Sequence, residues 1–336
     1  MRTTRRRAFV SPSDGKKVGP GAWALGDRAQ DMRRAVNLVL STLLILALIV
    51  AAYFAGRTAS TITPVKSTGA AHEAFYLDIG GSASTGTQPT GVATHNGHRT
   101  LVGYADDLVM IEKMRGVSLD LWHVGCPGET VQSMLDTVKG DRCYTPPTTQ
   151  LSLSLRYLKR HHGLPGVVTI DLGMNNIRPC ISHLTIGEAC AARQSALAVQ
   201  DLPIVLKDLA KAAGPRVRFI GLEYEDPFLS DYLDGTAGPE LATQTLFAMD
   251  RFNAALHEVY TAANVPVANI PAAFKSDDST RVTIDNVGVI PENVIEICQL
   301  TWMCQPPPYG PDAHPNNEGY MAIAEAVAAN LPKSNW

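Results

Sequence analysis

From about residue 74 onward, short apolar runs alternate with amphipathic stretches. Five runs predict strands: 74–79 (AFYLDI), 118–124 (SLDLWHV), 167–172 (VVTIDL), 217–222 (VRFIGL) and 265–269 (VPVAN). Between and after them the apolar spacing predicts helices. In 202–213, Leu202, Val205, Leu206 and Leu209 share one face; in 241–262, Leu246, Met249, Phe252, Leu256 and Val259 do the same. In 316–331, Tyr320, Ile323, Ala324, Val327, Ala328 and Leu331 form a stripe. Strands alternating with helices predict βαβ units, hence a three-layer α/β/α sandwich around a central parallel sheet of about five strands. Residues 74–336 read as one domain with no internal repeat.

The pattern upstream is different. Residues 35–55 (AVNLVLSTLLILALIVAAYFA) contain no charged side chain, and at about 1.5 Å per residue they match the roughly 30 Å hydrocarbon core of a bilayer. Arg33 and Arg34 abut this run, so the positive-inside rule predicts a cytoplasmic basic tail over 1–34, a transmembrane anchor over 35–55 and the rest of the chain outside, at the plasma membrane. A cleaved signal peptide, giving a secreted protein, is the alternative, but the basic region and the apolar run are both long for one. Residues 56–73 (GRTASTITPVKSTGAAHE) read as a flexible linker.

Charge sharpens this division. The net charge of −3 hides a tail with nine basic and three acidic residues, and a main body, 56–336, with 20 basic and 29 acidic ones. An acidic body excludes nucleic acid as a partner, because phosphate binding needs a basic face. A hydrophobic content of 45% excludes a disordered chain. All six cysteines follow the apolar run, and an even count in an oxidising compartment predicts disulfides. Fifteen connectivities are possible; the sequence-local pairs Cys126–Cys143, Cys180–Cys190 and Cys298–Cys304 are the simplest. No CxxC, HExxH, P-loop or GxGxxG is present, so neither a metal nor a cofactor is expected.

In parallel sheets, chemistry collects beyond the carboxyl ends of the strands. The first predicted strand is followed by Gly80-Gly81-Ser82-Ala83-Ser84-Thr85-Gly86, where a serine between small residues can expose its hydroxyl. The second is followed by Gly125-Cys126-Pro127-Gly128-Glu129-Thr130; Gly128 stands where a helix is expected to begin, with a free N–H. The third is followed by Gly173-Met174-Asn175-Asn176, whose Asn175 amide is a candidate donor. Before the last helix stands Pro311-Asp312-Ala313-His314-Pro315-Asn316, in which Pro315 biases His314 toward extended geometry and Asn316 can cap the helix. Asp78 and Asp171 read as buried hydrogen-bond acceptors, and His123, His161 and His162 as histidines without chemistry.

Ser, Gly, Asn and His after successive elements, with GGSAS, GCPGET, TIDLGMNN, GLEYEDPFL, TWMC and HPN around them, resemble the SGNH (GDSL-type) hydrolases, in particular the secreted actinobacterial esterases and lipases. The resemblance covers nearly all of 74–332. It implies a flavodoxin-like sandwich, a serine ester hydrolase that acts on lipid or small acyl esters, and local disulfides. It also implies Ser82 as nucleophile, His314 as general base, and an oxyanion hole made of the Ser82 N–H, the Gly128 N–H and the Asn175 side chain. Three positions depart from the pattern: Gly81 and Asn176 replace aspartates, and Pro311 occupies the usual acid position, leaving Asp312 as the candidate acid. Two alternatives accompany this reading: an acyl or acetyl hydrolase or transferase acting on cell-envelope glycans or lipids, and an inactive binding domain on the same fold.

Overall fold

The computed structural model describes residues 72–89, 102–136, 143–285 and 288–333. The expected tail, membrane span and most of the linker lie outside these residues. Among the described residues no helix is long and apolar enough to cross a membrane.

Strands β1 (His72–Gly80), β2 (Val117–His123) and β3 (Gly166–Asp171) are followed by the short pair β4 (Ile181–Ser182) and β5 (Thr185–Ile186), and then by β6 (Val217–Leu222) and β7 (Val267–Ala268). The central sheet has the order β2-β1-β3-β6-β7, and every pairing within it is parallel. The strand order reverses between β1 and β3, the switch point at which a doubly wound sheet opens a crevice. β1 begins at His72, two positions inside the stretch expected to be linker.

Side chains alternate between two cores. Phe75, Leu77 and Ile79 of β1 and Val168 and Ile170 of β3 pack with Leu202, Leu209, Leu256 and Tyr260 from the helices Glu188–Ala212 and Gly238–Ala262. Tyr76 and Val167 face the other way, onto Tyr104, Leu108, Ile323 and Val327 from the helices Tyr104–Met114 and Asn317–Ala329. Helices on both faces of a parallel sheet give the three-layer, flavodoxin-like arrangement. All six residues of β3 are buried, as expected of a strand covered on both sides.

The helix expected from Leu202 starts at Glu188 and runs through Pro203. An interior proline removes one backbone donor and crowds the preceding turn, a cost of about 3 kcal/mol. Burial of Ala191, Ala198 and Leu202 on the same helix offsets it.

The second core contains one polar knot. Asp78, fully buried, accepts from the Tyr104 hydroxyl at 2.8 Å and from Thr169 Oγ1 at 3.1 Å, and its second oxygen lies 2.8 Å from His123 Nδ1. Asp78 is thus the acceptor expected, whereas His123 has a partner that its sequence surroundings did not show.

Three disulfides tie loops locally: Cys126–Cys143, Cys180–Cys190 and Cys298–Cys304. The last spans β10 (Thr301–Trp302). This strand follows the hairpin of β8 (Arg281–Ile284) with β9 (Gly288–Pro291) and pairs antiparallel with β11 (Asp312–Pro315).

Replacing Asp78 by alanine strands the Tyr104 and Thr169 hydroxyls in the core. The Asp78→Ala protein should lose about 3 kcal/mol of stability in urea unfolding, and Tyr104→Phe only about 1 kcal/mol.

Candidate active site

Ser82 lies in the turn that leaves β1. Its carbonyl is claimed by the Thr85 and Thr87 N–H groups at 3.2 and 3.1 Å and by Thr85 Oγ1 at 2.9 Å. From below, Asp171 at the end of β3 accepts the N–H groups of Gly81 (3.3 Å) and Ser84 (3.1 Å) on Oδ2. This carboxylate therefore grips the turn on both sides of Ser82. Gly80 is held in turn by Gln150, which takes its N–H at 2.7 Å, donates to its carbonyl at 3.1 Å and reaches Glu129 Oε2 at 2.9 Å.

Gly128 belongs to a tight turn, Cys126-Pro127-Gly128-Glu129, closed by a hydrogen bond from the Glu129 N–H to the Cys126 carbonyl at 3.0 Å. Proline second and a glycine at φ +90° third is the chemistry of a type II turn. A Cβ on Gly128 would meet open space, so the dihedral alone requires glycine there. The expected helix does not begin at Gly128: it starts at Val131, capped by Thr130, whose side chain accepts from the Ser133 N–H. The turn, rather than a helix terminus, frees the Gly128 N–H.

Asn175 follows Gly173 after β3, in the single helical turn Met174–Ile177. Its amide nitrogen lies against the backbone beside Ser82: a Cβ built on Gly81 would stand 2.5 Å from Asn175 Nδ2. Glycine at 81 leaves that space to the amide. Neighbouring Asn176 ties this loop to the Gly128 loop, accepting from the Val131 N–H at 3.1 Å and donating to Gln132 Oε1.

His314 lies on β11, extended as the following proline requires, and Asn316 caps the final helix by accepting from the Gly319 N–H at 3.0 Å. Asp312 Oδ1 is 2.7 Å from His314 Nδ1 and also accepts the His314 N–H at 2.9 Å. A carboxylate two residues away thus reaches the ring by folding back on its own backbone. Burial pushes the Asp312 carboxyl up, but the hydrogen bond and charge of His314, its N–H and the nearby Arg178 charge outweigh burial and hold it below the usual carboxylate range.

Ser82, Gly128, Asn175, Asp312 and His314 all line one cavity of about 490 Å³. Among the described residues, no hydrogen bond joins Ser82 Oγ to His314 Nε2. None is donated by the Ser82 N–H, the Gly128 N–H or the Asn175 amide either. Three unspent donors and an oriented imidazole around one serine can receive a developing oxyanion and a proton.

Sequence reading missed Gln150 and Glu129. It placed Asp171 as a buried acceptor without its grip on the Ser82 turn. Burial pushes Asp171, Glu225 and Asp226 each up to about 7. At Asp171 the Tyr224 hydroxyl and the Ser84 and Gly81 N–H groups oppose burial, while the Asp78 charge adds to it. The Tyr224 hydroxyl faces Asp171 and is the strongest of these opposing contacts.

No protein-family model matches the chain, and no curated protein matches it. Among solved structures it is similar to a phospholipase A1 from Streptomyces albidoflavus at 17% identity, covering 76% of this chain and 99% of the other with a TM-score of 0.47. An extracellular lipase from Streptomyces rimosus matches at 17% identity over the same shares, with a TM-score of 0.46. An acetylxylan esterase from Geobacillus stearothermophilus matches at 13% identity, over 78% of this chain and 95% of the other, with a TM-score of 0.45.

The three raised carboxyls set a pH dependence. Their folded values exceed the unfolded ones, so between about pH 4 and 7 the native state holds protons that the unfolded state has lost. Their contribution to stability is therefore complete below that window and declines as pH rises through it. The urea midpoint should be lower at about pH 8 than at about pH 5, and Asp226→Asn should flatten the slope. A midpoint that rises across the window would refute the assignment.

Proposed function

We propose that this chain is a serine ester hydrolase of the SGNH (GDSL) type, with its catalytic domain outside the cell. The observation that carries the reading is the meeting of Ser82, Gly128, Asn175 and a His314 held by Asp312 around one cavity. In this mechanism His314 Nε2 takes the Ser82 proton as Oγ attacks the ester carbon. Asp312 keeps the proton on Nδ1 and stabilises the imidazolium. The tetrahedral oxyanion accepts from the Ser82 and Gly128 N–H groups and the Asn175 amide. His314 then returns the proton to the leaving alcohol, and water, activated by the same imidazole, resolves the acyl-enzyme.

The contact of Asp312 with His314 weighs against an inactive binding domain, whose case rested partly on the displaced acid. At the other two departures, Gly81 and Asn176, the bonds of Asp171 to the Gly81 N–H and of Asn176 to the Val131 N–H hold the loops in place. Three disulfides support an oxidising compartment, in keeping with a membrane-anchored domain outside the plasma membrane.

With short p-nitrophenyl esters, Ser82→Ala should abolish turnover, and Asn175→Ala should lower kcat by about 10²–10³ with a much smaller change in KM. Equal rates for wild type and Ser82→Ala would end the serine mechanism. Protease added outside intact cells should remove the domain while sparing residues 1–34; protection of the domain would refute the orientation.

A further inference from the structure

The strands of the central sheet run one way, so the segments that enter them gather at the end opposite the Ser82 turn. Lys113 and Arg115 precede β2, Lys159 and Arg160 precede β3, and Lys211 and Arg216 precede β6. Contacts join these segments into one surface. The Phe75 N–H of β1 donates to the Pro165 carbonyl at 3.2 Å, and the Gly166 N–H donates to the Arg216 carbonyl at 3.3 Å. A Cβ on Gly214 would stand 2.8 Å from the Gly163 nitrogen. Arg115 donates to the Ala328 carbonyl at 2.8 Å, which brings in the end of the last helix and Lys333 beyond it.

This arrangement segregates charge. Residues 113–116, 159–165, 211–216, 261–266 and 330–333 hold seven Lys or Arg and no Asp or Glu, whereas the rest of 56–336 holds 13 basic and 29 acidic residues. The net acidity of the body therefore conceals a basic end. All seven cations are exposed. Among the described residues only Arg115 of the seven meets a carboxylate, that of Glu112 at 2.7 Å, and Glu73 is the one acid where β1 enters. Two apolar side chains stand among the cations. Met114, between Lys113 and Arg115, is 73% exposed, and Leu164, just before β3, is 51% exposed.

A dissolved polyanion has no use for exposed apolar tips, whereas a lipid surface takes cations at its headgroups and apolar side chains beneath them. Chain direction supplies the second half of the argument. β1 begins at His72, at this same end, and residues 56–71, between the apolar run and β1, reach at most about 50 Å. We propose that this basic end docks on an anionic lipid surface, so that the Ser82 cavity opens away from the bilayer that anchors the chain. The proposal goes beyond the ester chemistry and rests on the reading of 35–55 as an anchor.

The test reconstitutes the full chain in phosphatidylcholine vesicles, with or without phosphatidylglycerol. A fluorophore on Met114→Cys should be quenched by headgroup nitroxides about threefold more strongly in the anionic vesicles. One on Leu233→Cys, in the segment that leaves β6, should be quenched equally weakly in both. High salt, or Lys159→Glu combined with Arg216→Glu, should erase the difference at 114, with the urea midpoint reporting that the variant is folded. Equal quenching at 114 in both lipids, or stronger quenching at 233 than at 114, overturns the proposal. Soluble polyphosphate that relieves the quenching at an equal phosphate concentration assigns this end to a dissolved polyanion and overturns it too. Alkaline carbonate separates the proposal from the anchor beneath it. A chain that carbonate releases has lost the anchor reading; at neutral pH that chain should still float with the anionic vesicles and not with the neutral ones, and failure to float ends the docking.

Discussion

Parallel strand direction is the constraint on which the site depends. Because β1, β2 and β3 run the same way, the turns that leave them open on one edge of the sheet, and the order β2-β1-β3 puts the Ser82 turn between the other two. A hydroxyl, a backbone N–H and a side-chain amide far apart in sequence become neighbours through the sheet alone. What remains is orientation, and buried polar groups supply it. Asp171 grips both sides of Ser82, Gln150 links Gly80 to Glu129, and Asn176 joins the third loop to the second. Together these bonds link the segments that follow β1, β2 and β3, so the site is braced across the sheet as well as along the chain.

The imidazole arrives from a different direction. Tyr320, buried in the final helix, donates to the Thr87 carbonyl at 2.6 Å, and Gln88 donates to Asn317 at 2.9 Å. These two bonds dock the last helix on the segment that follows Ser82. On the other flank, β11 is paired with β10, and Cys298–Cys304 encloses β10. His314 is therefore fixed at both ends of its short strand, and Asp312 completes the support from within the strand.

The sequence showed the architecture well where burial repeats. The runs in β1, β3 and β6 are apolar because helices cover both faces, and the stripe of Tyr320, Ile323 and Val327 is the face that meets the sheet. Pro203 concealed the first half of its helix, because a local rule against interior proline is overruled by packing that only the folded chain reveals. Ser82, Gly128 and Asn175 stood out because each follows a predicted strand, and His314 because Pro315 and Asn316 mark its place before the last helix. Gln150 was not, since nothing near it in sequence announces a bond to Gly80 seventy residues away. The β4–β5 hairpin was equally silent: two-residue strands carry no periodicity, and a buried acid in a different segment holds the turn.

The docking of the last helix has a consequence for biosynthesis. Ser82 leaves the ribosome long before His314, and the clasp between Tyr320 and Thr87 closes only after the last helix has emerged. A chain that stops before Asn317 lacks the helix that covers Tyr76 and Val167, and nothing in it docks His314 beside the Ser82 turn. Ser82 and His314 come together only once that helix has been synthesised and packed.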